Sequence, residues 1–156
     1  MEDYLFRSVV EQQDLEGLAG AGLIGLAPSQ QNSGSQLFVP SLYKQGAIKK
    51  NMFSMFIDPK EQSKIQIGGY DLKKYAKGPI KWYNIVNPLF WQLSFHSVTL
   101  GDTPFTPSVN HVMADTGTSL NMLPSADYER IFATFFGEMS CHRLPNTLDS
   151  CACSQE

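Results

Sequence analysis

The sequence has few charged residues, only a small acidic excess, and no long apolar run. Charged side chains make up 17% of the 156 residues, and the formal net charge is −3. The low charge argues against a disordered chain, and the small acidic excess offers no basic footprint for nucleic acid. No apolar run reaches the length of about 20 residues that a membrane-spanning helix needs. We therefore expect a folded chain without a nucleic-acid or membrane partner.

The N-terminal residues also lack the features of a secretory signal. Residues 1–6 have no basic region, no adequate apolar stretch and no small-residue cleavage site. As written, nothing targets the chain for secretion. This expectation holds only if no further sequence precedes Met1.

Cysteine is scarce and confined to one end. Cys141, Cys151 and Cys153 all lie in the last sixteen residues. Their spacing fits no zinc pattern, and His142 is the only nearby nitrogen ligand, so we predict no metal site. A disulfide could join Cys141 to either Cys151 or Cys153, which would favour an oxidising compartment. The odd count leaves one thiol in need of a partner, for which sequence not present here is one source.

Most of the chain shows the patterns of short strands. Runs of β-forming or alternating residues predict strands over residues 4–10, 52–57, 64–68, 80–85 and 91–100. The alternation in 64–68 predicts one buried face and one wet face. Gly101-Asp102 marks a hairpin turn, and residues 110–114 lead as a strand into Asp115. The fold class predicted by this pattern is mainly β, with short helices.

Two helices interrupt the strands. Pro40 suits the first turn of a short helix that ends before Gly46. Ser125 suits the N-cap of a longer helix, with Asp127 in its first turn and Gly137 closing its C-terminus. An apolar stripe on this second helix predicts a core-facing side, formed by Tyr128, Ile131, Phe132, Phe135 and Phe136.

A glycine pattern raises the alternative of a nucleotide site. Gly20, Gly22 and Gly25 have the spacing of a dinucleotide-binding turn. The predicted strand ends well before Gly20, Pro28 blocks the helix that should follow, and no acidic residue lies near position 45 for the ribose. We therefore predict no nucleotide cofactor.

One stretch carries a pattern of acid–base chemistry. An apolar run that ends at Ala114 delivers Asp115 into a turn with Thr116, Gly117, Thr118 and Ser119. Asp can hydrogen-bond nearby backbone, Gly tolerates positive φ, and the hydroxyls can orient the carboxylate. A carboxylate held at a strand end is what general acid–base catalysis needs. The alternative is an ordinary hairpin turn with a solvated Asp.

Five segments follow one another in the order and spacing of a known family. They are Leu23-Ile24-Gly25-Leu26-Ala27, Ile67-Gly68-Gly69 with Asp71, Trp82-Tyr83, Phe90-Trp91-Gln92 followed by residues 98–101, and residues 115–120. With these segments the chain resembles the pepsin-like aspartic proteases. In that family the first segment underlies the first active-site loop, and the last is the second active-site loop.

The resemblance implies a pepsin-like bilobal acid protease fold that is incomplete in both lobes. Residues 1–75 would form the C-terminal part of the first lobe. Residues 76–156 would form the N-terminal part of the second lobe, with its active-site loop. The chain is thus expected to be the middle of a longer protein.

The resemblance also implies an aspartic endopeptidase that hydrolyses peptide bonds with two aspartates and an activated water. Asp115 would be one member of the pair. The partner is expected outside this chain, because no other Asp here is followed by Thr-Gly or Ser-Gly. A catalytic homodimer is disfavoured, since the hydrophobic-hydrophobic-glycine segment precedes Asp115 instead of following it. The alternative is a non-catalytic peptide-binding or interaction protein on the same fold.

The remaining expectations are inherited from the same family. Thr116, Gly117, Thr118 and Ser119 would support the active site, and Phe90 is a candidate for the cleft wall, with a core position as its alternative. The substrates would be polypeptides, with no cofactor and no metal, and the full-length protein would be a monomer. The compartment would be the lysosome or vacuole, or the outside of the cell. His96, His111 and His142 form no triad or metal pattern.

Overall fold

The computed structural model of the chain describes residues 4–11, 13, 17, 20–29, 36–60, 62–144 and 149–152. The chain divides into two compact units, Met1–Leu93 and Ser94–Glu156. The lobe boundary predicted between residues 75 and 76 concerns the complete bilobal fold and remains a prediction.

Short strands outnumber helices in the described part of the chain, which confirms the mainly β prediction. The first unit contains α1 (Phe38–Lys44), β1 (Phe53–Phe56), β2 (Lys64–Ile67) and α2 (Leu72–Tyr75), and β3 (Gln92–Ser94) lies at the boundary. The second unit contains β4 (Val98–Leu100), β5 (Thr103–Phe105), β6 (His111–Met113), α3 (Ser125–Phe135), β7 (Cys141–Arg143) and β8 (Asp149–Cys151).

An antiparallel hairpin of β1 and β2 dominates the first unit. Its register pairs Phe53 with Ile67, and the chain leaves β2 through Gly68, whose φ is +82°. A Cβ at Gly68 would lie 2.9 Å from the Cβ of Ile48, so glycine is required there both by conformation and by space. The prediction that one face of β2 is buried is wrong for Ile65, which is 59% exposed. Ile67, on the same face, is half-buried.

Two predicted strands of the first unit are not formed. Residues 4–10 and 80–85 have no strand pairing, even though both runs are rich in β-forming side chains. A strand needs a hydrogen-bonded neighbour, and the described residues supply none for either segment. The predicted short helix is confirmed as α1, with Gly46 at φ +71° just beyond its end. Its Val39 is the only buried apolar residue among those described.

The second unit holds two hairpins and the longest helix. The β4–β5 hairpin turns at Gly101, whose φ is +59°, as the sequence predicted. The helix α3 begins at Ser125, but its N-cap position is occupied by Pro124, so the predicted Ser125 cap is off by one residue. The apolar stripe of α3 is half-buried except for Phe136, which is 38% exposed, so this stripe packs less completely than the predicted core.

A disulfide closes the hairpin of β7 and β8. Cys141 and Cys151 face each other in the register and are bonded, which decides between the two pairings that the sequence left open. Cys153 lies outside the described residues. Arg143 and Asp149 form the last pair of the register, two residues along from the disulfide, and are joined by an ion pair of 3.2 Å.

Candidate active site

The strand β6 leads directly into the predicted catalytic turn. The backbone N–H of Phe95 donates to the carbonyl of Asn110 at 3.0 Å, immediately before β6 begins at His111. After Met113 the chain leaves strand geometry and turns at Thr116 and Gly117. We refer to residues 114–119 as the Asp115 loop. The prediction of a strand that delivers a carboxylate into a turn is confirmed, but the expectation that this strand is buried is wrong, because all three residues of β6 are exposed.

Both carboxylate oxygens of Asp115 are held by the loop itself. The backbone N–H of Gly117 donates to Oδ1 at 2.9 Å, and the hydroxyl of Thr118 donates to Oδ2 at 2.5 Å. Hydrogen bonds to the ionised form stabilise it, so these two contacts lower the pKa of Asp115, with the Thr118 hydroxyl as the larger cause. Asp115 is therefore an exposed carboxylate with a fixed orientation.

Gly117 suits the loop for a different reason from the one that the sequence suggested. The prediction of a positive φ is wrong, because the glycines with positive φ in the described chain are Gly46, Gly68 and Gly101. A Cβ at position 117 would instead lie 3.2 Å from Oδ1 of Asp115, closer than ordinary contact. Glycine at this position lets the N–H approach the carboxylate without a side chain in the way.

The other predicted site residues have no demonstrated role. Thr116 and Ser119 are exposed, and within the described ranges their side chains make no hydrogen bond. Phe90 belongs to the first unit and is 37% exposed. The assignments of Thr116 and Ser119 to active-site support and of Phe90 to a cleft wall therefore remain predictions.

The part of the chain that the structure describes has neither a metal-binding cluster nor a membrane-spanning helix. No group of three or more His, Cys, Asp or Glu side chains there is arranged to hold a metal ion. No helix in the same residues is both long enough and apolar enough to span a bilayer.

Sequence reasoning missed one buried carboxylate near the start of α3. The sequence marks Asp127 only as an acid in the first turn of a helix, yet its side chain is 1% exposed and accepts the backbone N–H and the hydroxyl of Ser108. Burial of a charged side chain at this level is rare unless it is paired. The sequence signal for it is weak, because Ser108 lies nineteen residues away in an irregular segment.

Comparison with known proteins identifies the family. A family model described as eukaryotic aspartyl protease matches residues 3–155. Since this match covers nearly the whole chain, the chain belongs to the eukaryotic aspartyl protease family, and the resemblance drawn from the sequence is confirmed.

Individual relatives agree with this assignment. Aspartic protease 3 of Toxoplasma gondii is 29% identical over 115 residues, which cover 70% of this chain and 18% of that protein. Pregnancy-associated glycoprotein 2 of Sus scrofa is 33% identical over 114 residues, covering 70% of this chain and 27% of the relative. Pepsin A of Gallus gallus is 30% identical over 136 residues, covering 82% of this chain and 37% of the relative. The chain thus spans well under half the length of each of these relatives.

Proposed function

We propose that this chain is part of an aspartic endopeptidase that hydrolyses peptide bonds of proteins through an aspartate dyad and an activated water. Asp115 is one member of that dyad. The observation that carries the proposal is the geometry of the Asp115 loop, in which both carboxylate oxygens accept hydrogen bonds while the group stays exposed. Membership of the family supplies the reaction class.

The electrostatics of Asp115 suit the ionised member of such a pair. Two carboxylates about 3 Å apart share one proton, so one is ionised and accepts a proton from water while the other donates one. The hydroxyl of Thr118 and the N–H of Gly117 lower the pKa of Asp115 and so favour its ionised form. In this proposal Asp115 accepts the proton of the attacking water.

The second carboxylate is proposed to come from sequence outside these 156 residues. A neighbouring carboxylate would raise the pKa of Asp115, and among the described residues none contributes to it. The relatives are longer than the matched region, so they have room for a second active-site loop. It follows that the 156-residue chain by itself has no proteolytic activity.

The supporting roles follow from the position of each residue in the loop. Gly117 and Thr118 orient the carboxylate directly. Thr116 is proposed to bond across the junction of the two lobes, and Ser119 to lie near the bound peptide backbone. Phe90 is proposed to line the cleft.

The biological setting is proposed from the same family. The substrates are polypeptides, and the full-length protein acts as a monomer without a cofactor. The lysosome, the vacuole and the extracellular space are all compartments in which the Cys141–Cys151 disulfide would persist.

A non-catalytic peptide-binding protein on the same fold is the second candidate. One relative, pregnancy-associated glycoprotein 2, has a name that refers to no enzymatic activity. The two functions differ in the residue that occupies the first active-site loop. The coding sequence upstream of Met1 separates the two functions. An Asp-Thr-Gly or Asp-Ser-Gly turn there supports the enzyme, and another residue in place of that Asp supports the peptide-binding protein.

The proposal is tested with the full-length protein carrying Asp115→Asn. The assay follows cleavage of a denatured protein at acidic pH, and Asp102→Asn serves as a matched control because Asp102 lies in the turn of the β4–β5 hairpin. We expect Asp115→Asn to abolish cleavage and Asp102→Asn to leave it unchanged. Undiminished cleavage by Asp115→Asn would overturn the assignment of Asp115.

A further inference from the structure

We propose that Asp127 is a positioning residue for Asp115, acting with Ser108 and Arg130 as a clamp that closes the base of the active-site segment. This inference rests on the proposed function, because positioning has meaning only if Asp115 is catalytic. None of the three side chains is proposed to touch substrate. We refer to Ser108, Asp127 and Arg130 as the Asp127 clamp.

The centre of the clamp is a buried, fully engaged carboxylate. The backbone N–H of Ser108 lies 3.0 Å from Oδ1 and 2.8 Å from Oδ2 of Asp127, and the Ser108 hydroxyl donates to Oδ2 at 2.8 Å. Nη1 of Arg130 lies 3.5 Å from Oδ1 on the same helix. The carboxylate thus has a donor on each oxygen and a positive charge beside it, which is what burial of a carboxylate requires.

Arg130 also contacts the residues that precede Ser108. Its Nη2 donates to the carbonyl of Thr106 at 2.8 Å, and its guanidinium lies 4.5 Å from the ring centre of Phe105. Two side chains from the first turns of α3 therefore hold Phe105, Thr106 and Ser108. The connection from β5 towards β6 is thus bonded to α3 at Thr106 and Ser108.

The position of the clamp along the chain links it to Asp115. Ser108 and Asp127 are nineteen residues apart, and Asp115 lies in the segment between them. From Ser108 the chain runs through β6 into the Asp115 loop, and from there through residues 120–124 into α3. The clamp joins the two ends of the segment 108–127, which carries the Asp115 loop between them.

The clamp and the bonds within the loop have separate roles. Gly117 and Thr118 orient the Asp115 carboxylate relative to its own loop. The clamp fixes that loop relative to α3. Displacement of Ser108 would leave the buried carboxylate of Asp127 without the hydrogen bonds from Ser108, which costs more than loss of an exposed hydrogen bond. A buried carboxylate at this point therefore resists movement of the segment that carries Asp115.

The test uses variants of the full-length protein. Ser108→Ala removes one hydroxyl donor and keeps the charge of Asp127, while Ser108→Thr restores a hydroxyl. Asp127→Asn removes the charge, and Glu129→Gln is its matched control because Glu129 is an exposed acid on the same helix. The concentration of active sites is measured by titration with a tight-binding statine-type inhibitor, so that unfolded protein is not counted when kcat is calculated.

We expect Ser108→Ala and Asp127→Asn to lower kcat per active site by about 10- to 100-fold, with KM changed less than about threefold. Ser108→Thr should recover most of kcat, and Glu129→Gln should match the wild type. If these residues had a purely structural role, their substitution would lower Tm without changing kcat per active site. Val39→Ala in the first unit provides that comparison, because it removes part of a buried apolar side chain.

Two results would overturn the inference in different ways. If Asp115→Asn abolishes activity but Ser108→Ala and Asp127→Asn keep wild-type kcat per active site, the clamp does not position Asp115. If Asp115→Asn retains activity, the proposed function is wrong, and the inference fails with it. Should Asp127→Asn fail to fold, Ser108→Ala and its recovery by Ser108→Thr decide the question.

Discussion

The hydroxyl of Thr118 lies 2.5 Å from Oδ2 of Asp115, at the short end of the range for a hydroxyl bonded to a carboxylate. This bond is the largest cause of the lowered pKa of Asp115, ahead of the Gly117 N–H. A threonine three residues after the aspartate therefore does more to set the charge state of the candidate catalytic group than any other described side chain.

The first prediction concerns that hydroxyl. Thr118→Val keeps the shape of the side chain but removes the donor, so the pKa of Asp115 should rise towards its ordinary value, because the ionised form loses its main stabilising bond. Thr118→Ser, which keeps a hydroxyl, should leave the pKa near that of the wild type. Titration of the Asp115 carboxyl carbon by NMR measures both. An unchanged pKa in Thr118→Val would show that the bond does not hold the carboxylate.

The second prediction concerns Gly117. Gly117→Ala introduces a Cβ 3.2 Å from Oδ1, so the carboxylate must shift, and we expect kcat to fall by about tenfold or more. Gly101→Ala is a contrast, because position 101 has open space but a φ of +59°. It should cost about 1–2 kcal/mol of stability and leave kcat unchanged. Equal activity losses in the two variants would argue against a specific role for Gly117.

The third prediction concerns the disulfide of the β7–β8 hairpin. Cys141 and Cys151 are ten residues apart, and a cross-link over so short a loop stabilises by roughly 2–3 kcal/mol through the entropy of the unfolded chain. Replacement of both cysteines by alanine should lower the free energy of unfolding by about that amount, measured by urea denaturation. A double variant as stable as the wild type would show that the hairpin does not need its cross-link.

The fourth prediction concerns the pH dependence of stability. Asp149 accepts hydrogen bonds from Arg143 at 3.2 and 3.3 Å and from the hydroxyl of Tyr128, and the Arg143 bonds are the larger cause of its lowered pKa. A carboxylate whose pKa is lower in the folded state than in the unfolded state stabilises the fold. That contribution is fully present at pH values above the unfolded-state pKa, near 3.8, and is lost as the pH falls through the lower pKa of the folded state.

Asp149→Asn should therefore lose less stability on acidification than the wild type does, because it lacks the carboxylate that titrates. The measurement is urea denaturation at neutral pH and at pH values below 4, with Glu138→Gln as the control because Glu138 is exposed and has no ion pair among the described residues. If the wild type and Asp149→Asn lose the same stability on acidification, Asp149 does not carry this dependence.

Local patterns predicted much of the fold and the central part of the site. The Asp115 loop, the Gly101 turn and α3 were all found from residues that are neighbours in sequence, because turns and helices are set by contacts a few residues apart. Residues 4–10 and 80–85 were misassigned, since strand propensity cannot supply a pairing partner.

The contacts that sequence reasoning missed are those between distant residues. The bond between Asp127 and Ser108 joins a helix to an irregular segment nineteen residues away, and no periodicity marks it. For Gly117 the sequence suggested a positive φ, which the residue does not have. Its proximity to Oδ1 of Asp115 is visible only in three dimensions. The choice of Cys151 over Cys153 likewise depends on the register of β7 and β8.

The central claim is that Asp115 is one of two acids that act together in the full-length protein. Binding of a statine-type inhibitor, measured by isothermal titration calorimetry, tests it most directly, because the hydroxyl of such an inhibitor bonds to both carboxylates of a dyad. The account predicts that Asp115→Asn weakens binding by about 10- to 100-fold, the loss expected for a hydrogen bond to a charged group, while Asp102→Asn binds as the wild type does. Equal affinity of Asp115→Asn and the wild type would contradict the account.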